Sequence, residues 1–283
     1  MAEEINFDAF KDFEKKGWEQ SAETFSSNQD LVTNQAIEPL LNAAGVASGS
    51  RHLDVACGPG FLVAEAAKRG ADTTGIDFSG NMIAQANRLN PGHHFEEGDA
   101  ESLSFGDETF DAITCSFGIL HLAYPDKAFQ EVLRVLKPGG RFSFMVWSTS
   151  DKPSLFNIVL KSVMTHGTFD VGLPPGPDIF FFSDQDNSRN ALGKAGFQNI
   201  EFASHDLVLN DKLEGATPDE MKQFLIDKIM GSTARLRGLM ANQEADAREK
   251  IFQSIFDMVF SLSNAQKAFQ LPMPALLISA AKQ

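Results

Sequence analysis

Several absences narrow the possibilities before any motif is considered. Cysteine occurs twice, at Cys57 and Cys115, too rarely for a disulfide framework and away from any metal-ligand cluster, as suits a reducing compartment. No apolar run reaches the roughly 20 residues of a membrane-spanning helix. The opening MAEEINFDAF has acids where a secretory signal has basic residues, so a cytoplasmic protein without a membrane span is expected. Cations are scarce as well: 24 Lys and Arg face 38 Asp and Glu, a net charge of -14. Phosphate-backbone affinity is carried by cations, so no nucleic-acid partner is expected. Tyrosine occurs once and tryptophan twice, against 25 phenylalanines. Phe cannot hydrogen-bond, so this excess either fills a core or lines an apolar chamber, and composition leaves both open.

What is present is a regular alternation. Strands are predicted at Arg51–Ala56, Asp72–Asp77, His94–Gly98, Phe110–Ser116 and Arg141–Trp147, and helices at Phe61–Arg69, Ser79–Leu89 and Asp126–Leu136. Strands alternating with helices pair in parallel through right-handed crossovers, giving a doubly wound α/β sheet. Lys137-Pro138-Gly139-Gly140 is expected to end a helix and turn into the fifth strand. Ahead of the core, Phe7 and Phe10 stand three apart with Glu14 and charged neighbours elsewhere, an amphipathic helix that continues through Trp18 and Phe25. Behind it come the loop GLPPGP, the run Phe180-Phe181-Phe182, a short helix over Asn187–Gly196 and a sixth strand over Phe197–Leu209.

A helical insertion then opens at Thr217-Pro218-Asp219-Glu220, which offers a cap, a first-turn proline and acids at the positive dipole end. A second helix is expected over Ile251–Leu262. Pro274–Ala281 reads as a last strand able to pair antiparallel with the sixth. The 283 residues thus read as one elaborated domain. Its expected parts are an N-terminal helical lid (1–45), an α/β core (46–209), a helical cap (210–268) and a closing core strand (269–283).

The stretch HLDVACGPGFL sits where a nucleotide-like ligand would bind. A dinucleotide loop, G-x-G-x-x-G, has a third glycine for close helix–strand packing. Counted from Gly58 and Gly60, that place is held by Val63, which weighs against an NAD-dependent oxidoreductase. Asp54, inside the strand, would repel a pyrophosphate and suits a cationic or ammonium-bearing ligand. Asp77 ends the second strand, where ribose hydroxyls are held in nucleoside sites, although it also reads as a helix cap before Ser79. Asp99 ends the third strand and could accept from an adenine amino group. Together the three acids outline a nucleoside pocket without phosphate donors.

The motifs LDVACGPGFL, TGIDFSGNMI, FEEGDAESLSF, FDAITCSFGILHL and EVLRVLKPGGRF run in order from Leu53 to Phe142. In sequence and spacing they resemble class I S-adenosylmethionine-dependent methyltransferases, in the style of the small-molecule ubiquinone and menaquinone biosynthesis type. The resemblance implies a Rossmann-like methyltransferase fold, with a seven-stranded, mostly parallel sheet, an antiparallel C-terminal hairpin and helical lid insertions. It implies that Asp54 and the backbone around Ala56, Gly58 and Gly60 hold the methionine portion of S-adenosyl-L-methionine. Asp77 would take the ribose, Phe78 and Met82 the adenine faces, Asp99 and the Ala100 amide the adenine edge, and Ser116 and Phe117 the methyl end. Ala56 departs from the family pattern, standing where its first glycine is common.

Methyl transfer from a sulfonium is an in-line displacement that asks mainly for alignment and a dry site. A base is needed only where the acceptor carries a proton. His121, just past the fourth strand, is the candidate, with packing as its alternative role. His166 and Tyr124 are weaker candidates, while His93, His94 and His205 read as surface residues and no metal site is expected. Trp18, Phe25 and Phe181 are expected on the substrate lid. The expected function is O- or C-methylation of a small, largely apolar or aromatic acceptor by a monomer or homodimer. The rival reading keeps the fold and cofactor but makes the protein a pericyclase-like, non-methylating catalyst; a non-catalytic partner subunit is a further class, disfavoured by the intact acids.

Overall fold

The computed structural model describes residues 7–28, 32–149, 154–212, 217–262 and 268–283. Seven strands form one sheet: β1 Arg51–Val55, β2 Asp72–Asp77, β3 His94–Glu97, β4 Phe110–Ser116, β5 Leu136–Trp147, β6 Gln198–Lys212 and β7 Ala268–Ala281. Their spatial order is β3-β2-β1-β4-β5-β7-β6. The first five are parallel, and β7 runs antiparallel between β5 and β6. The order reverses direction between β1 and β4, so the loops leaving their carboxyl ends diverge and open a crevice there.

The helices are α1 Asp8–Asn28, α2 Ile37–Ala43, α3 Phe61–Lys68, α4 Gly80–Leu89, α5 Pro125–Val135, α6 Leu155–His166, α7 Gln185–Ala195, α8 Pro218–Met230, α9 Ala234–Ala241 and α10 Ala245–Ser261. Helices α2 and α3 contribute to one apolar cluster, which continues into α6, α8 and α10. Helices α5 and α7 bury their apolar sides in a second cluster with β4 and β5. Helix α8 starts as its sequence predicts: the Thr217 hydroxyl accepts from the Glu220 amide at 3.3 Å while Glu220 accepts from the Thr217 amide at 2.7 Å. Among the described residues no helix is long and apolar enough to cross a membrane.

Several elements differ from the sequence pattern. Strand β5 begins at Leu136 rather than Arg141, because the Pro138-Gly139-Gly140 segment is absorbed into the sheet. Gly139 adopts φ 80° and donates to Lys282 O at 2.8 Å, and the Lys282 amide returns a bond to Gly140 O at 3.0 Å. The register against β4 shifts at this point, between Phe110 and Ala112. The last hairpin is longer than expected, pairing from Gln198 with Ala281 out to Lys212 with Ala268. Helices α6 and α9 have no counterpart in the sequence pattern. The apolar run in α6 lacks a clear polar face, and α9 is short and carries arginines and a glycine.

Much of the phenylalanine excess lies in the α5/α7 cluster. Phe129 is fully buried, with ring centroids 5.4 Å from Phe182, 5.7 Å from Phe144 and 6.3 Å from Phe142. Phe142 and Phe144 stack at 5.2 Å. Interlocked rings leave no room to collapse around a deletion. Phe129→Ala is therefore expected to cost about 3–5 kcal/mol, read as a lower denaturant midpoint with unchanged slope.

Candidate active site

The carboxyl ends of β1 and β2 and the loop after β3 bring Asp54, Asp77 and Asp99 to a cavity also lined by residues of α1, α6, α8 and α9. Asp54 is 1% exposed and Asp77 6%. Each oxygen of Asp77 accepts a backbone N–H, from Gly58 at 3.0 Å and from Ser79 at 2.9 Å. The same carboxylate thus fixes the glycine loop and the entry to α4. The cap of α4 itself is Ser79, whose hydroxyl accepts from the Met82 amide at 3.2 Å.

Asp54 belongs to a buried chain of hydrogen bonds. The Thr114 hydroxyl donates to Asp54 at 2.7 Å, His52 Nε2 lies 2.9 Å from Thr114 Oγ1, and His52 Nδ1 lies 2.8 Å from Thr73 Oγ1. Burial drives the His52 pKa down to about 3, so the ring is neutral. With Thr114 donating to Asp54, the bond from His52 requires an N–H on Nε2, and Nδ1 then accepts from Thr73. Burial raises the Asp54 carboxyl to about 7, against the Thr114 bond and with the charge of Asp77 adding to the shift. Asp77 is raised to about 6, again chiefly by burial, with its two backbone bonds opposing. Two such acids side by side call for a cation. Both thiols are pushed up by burial, so neither Cys57 nor Cys115 is a ready nucleophile.

The loop backbone is held in uncommon conformations. Ala56 has φ 56°, Gly58 φ 50°, Gly60 φ 83° and Phe117 φ 56°. Ala56 thus occupies the left-handed region that glycine at this place would occupy at no steric cost. Its methyl group is accommodated because position 118 is glycine: a Cβ there would lie 2.5 Å from the Ala56 Cβ and 2.7 Å from Cys115 Sγ. Phe117 meanwhile stacks on Trp147 at 3.9 Å.

Helix α1 crosses the rim and is fastened to it by charge. Lys11 Nζ lies 2.6 Å from Asp99 and 2.5 Å from Glu101; burial opposes its charge, but these two partners outweigh burial and raise its pKa. Lys15 meets Glu97 at 2.9 Å, and Glu19 accepts from the Gly80 and Asn81 amides at the start of α4. Tyr124, weighed from sequence as a base, is a clasp for the same helix: it donates to Asp8 at 2.9 Å and accepts from the Phe7 amide at 3.1 Å. One reading of α1 needs correction. Glu14 is not on the polar side; Phe10, Glu14 and Trp18, four apart, form its buried stripe, and Glu14 is 0% exposed.

Of the residues singled out from sequence, Asp54, Ala56, Gly58, Asp77, Phe78, Met82, Asp99, Ala100, Ser116, Phe117 and His121 all line the cavity, as do Trp18 and Phe25. Gly60 stands behind it as the N-cap of α3. Phe181 does not reach it. The Phe180–Phe182 run is pulled apart: Phe180 packs against Phe156, Phe182 enters the α5/α7 cluster, and Phe181 is left 44% exposed. His166 is likewise exposed, at the end of α6. Residues not anticipated are Lys11 on the rim and Leu155, Phe156 and Val159 of α6, which with Trp147 and Leu236 add apolar surface to a lining that also holds Thr33, Asn34, Ser232 and Thr233.

The rim fits a nucleoside with a positively charged amino-acid tail. Asp54, Asp77, Asp99 and Glu101 face the cavity, and its lining lysines are Lys11, already engaged by two of these acids, and Lys228. Such a set repels pyrophosphate and suits the ammonium, sulfonium and ribose of S-adenosylmethionine. Fold and rim together define a class I S-adenosylmethionine-dependent methyltransferase.

The comparisons agree. A methyltransferase domain model matches residues 53–144. A demethylmenaquinone methyltransferase of Paenarthrobacter aurescens is 33% identical over 193 residues, covering 65% of this chain and 76% of that protein. A ubiquinone/menaquinone biosynthesis C-methyltransferase UbiE of Bartonella bacilliformis is 34% identical over 173 residues, covering 55% and 66%. Among solved structures, Haemonchus contortus phosphoethanolamine N-methyltransferase 2, in complex with phosphomonomethylethanolamine and S-adenosylhomocysteine, shares the fold with a TM-score of 0.58. It is 17% identical, with 100% of this chain and 61% of that one covered. The chain belongs to the S-adenosylmethionine-dependent methyltransferases of the ubiquinone and menaquinone biosynthesis type.

The raised acids give a pH dependence with a definite sign. A carboxyl whose native pKa exceeds its unfolded value stabilises the fold fully below the ordinary value of 3.8, and that contribution is lost as pH rises through about 7. The ligand-free thermal midpoint is expected to fall between about pH 4 and about pH 7, and Asp54→Asn to flatten the fall. A cationic ligand favours ionised Asp54, so the affinity for S-adenosylmethionine in calorimetry should rise over the same interval. A pH-independent affinity would contradict this assignment.

Proposed function

We propose that this methyltransferase acts on a carbon of a reduced, apolar quinone nucleus, with Asp54, Asp77 and Asp99 holding the cofactor and His121 acting as base. The observation that carries this reading is the apolar chamber made by Trp147, Leu155, Phe156, Val159, Leu236 and Met273, in the same cavity as the acid rim and His121. A flat aromatic with an aliphatic tail matches that lining. The names of the two relatives, both quinone methyltransferases, support the same class of acceptor. Helices α1, α8 and α9 would act as the lid that excludes water.

When bound, S-adenosylmethionine supplies an electrophilic methyl group and a sulfur that keeps the electron pair of the broken C–S bond. The chain's own residues have three tasks. The rim acids and the loop amides fix the cofactor, the apolar chamber fixes the ring, and His121 takes the hydroxyl proton of the hydroquinone, making the ring carbon nucleophilic. After attack the methylated ring carbon loses its hydrogen as the ring regains aromaticity, His121 returns a proton to the oxygen, and one proton leaves to water for each methyl group transferred.

The test is incubation of the protein with S-adenosylmethionine and a chemically reduced, short-tailed demethylmenaquinone, with mass spectrometry for a gain of one methyl on carbon. His121→Ala is expected to lower kcat by about a hundredfold or more with cofactor binding kept. Binding of S-adenosylhomocysteine without any methylated product would instead favour the pericyclase-like reading.

A further inference from the structure

His121 does not stand alone. It closes a single turn, Ile119–His121, directly after β4, and its ring is fixed from outside the core by α1. The Glu14 carboxylate lies 2.9 Å from His121 Nδ1, and the same oxygen accepts from Trp18 Nε1 at 3.1 Å. The Trp18 ring meets the imidazole edge-on, 4.9 Å between centroids. Glu14 Oε1 is buried and has no hydrogen-bond partner among the described residues.

A buried carboxylate with an unfilled oxygen is costly to keep. Holding the Trp18 N–H and a histidine in place would need only a neutral acceptor. What a carboxylate adds is chemical: it accepts only, so Nδ1 must carry the hydrogen, and Nε2 is left with its lone pair. It also stabilises the imidazolium that forms when Nε2 takes a proton. This is the logic of carboxylate–imidazole pairs in general.

The carboxylate arrives on a separate element. Helix α1 is pressed between the core and α9: Arg237 donates to Gly17 O at 2.8 Å and to Ser21 Oγ, and a Cβ at position 17 would come within 2.2 Å of the Ala234 Cβ. Glycine at position 17 permits this close approach. The charged groups bearing on Glu14 are His121 from the core side and Arg237 from α9.

We propose that Glu14 is the positioning residue for His121, so that the base is assembled only while α1 is seated over the cavity. This rests on the reading of His121 as base. Opening of α1 for cofactor exchange would separate Glu14 from the imidazole, and closing would restore both the dry cavity and the base.

Glu14→Gln tests this. The amide oxygen can take the place of the shared carboxylate oxygen and keep both Trp18 Nε1–H and His121 Nδ1–H, so this variant removes the negative charge while keeping the contacts. With S-adenosylmethionine and the reduced short-tailed demethylmenaquinone, kcat is expected to drop by about a hundredfold or more, with KM and S-adenosylhomocysteine affinity within about twofold of wild type. Glu14→Asp should recover part of the rate. The double variant Glu14→Gln/His121→Ala should be no slower than His121→Ala alone.

Nitrogen-15 NMR of labelled histidine, with His121→Ala as the assignment control, reads the tautomer without any acceptor. Hydrogen on Nδ1 is expected in the wild type and in Glu14→Gln, and a mixture of tautomers in Glu14→Ala, which offers no acceptor there. Unchanged kcat in Glu14→Gln beside a slow His121→Ala would overturn the positioning role alone. Wild-type kcat in His121→Ala would overturn the base reading and the proposal with it. Strictly additive losses, or a tautomer that Glu14→Ala leaves unchanged, would reduce Glu14 to a structural contact and also overturn the proposal.

Discussion

The site depends on keeping Asp54 and Asp77 dry at adjacent strand ends. Carboxylates in such surroundings are unfavourable unless fixed dipoles or a cation compensate them. The protein supplies the dipoles: two amides for Asp77 and the Thr114 hydroxyl for Asp54, itself backed by His52 and Thr73. The cation is left to the ligand. That division accounts for the tight loop around Ala56 and Gly58, since the amides must point inward, and for placing the site where strands on both sides hold the loops rigid.

The phenylalanine excess divides by location rather than by role alone. On the α5/α7 side the rings interlock and specify the core. On the other side Phe117, Phe156 and Phe25 face a cavity, to which they add apolar surface without a further hydroxyl. The single tyrosine is used outside this chamber, as the clasp that holds the start of α1.

The alternating core was readable because short strand-like runs recur between helical segments, and the acids at positions 54, 77 and 99, which line one cavity, stood out by their order. Glu14 escaped notice because periodicity sorts charged residues to the solvent face, whereas here an acid sits in the apolar stripe between Phe10 and Trp18. That irregularity, an acid four residues from an aromatic on each side, was the available signal. The fate of Phe180–Phe182 was not readable, because three adjacent identical residues carry no periodicity and only tertiary packing separates them. The same holds for α6 and its contribution to the chamber: a helix apolar on most sides looks like any buried segment.

The closing hairpin has a further consequence. Strand β5 pairs with β7 only over Ala275–Ala281, while β6 and β7 continue together as a two-stranded ribbon to Lys212 and Ala268. Helices α8–α10 lie in sequence between these two ends, which are already neighbours. The chain therefore enters and leaves the insertion through one paired doorway, and lengthening or shortening it adds little closure entropy. An insertion attached this way can change in length or packing while strand register and the positions of Asp54, Asp77 and Asp99 stay as they are.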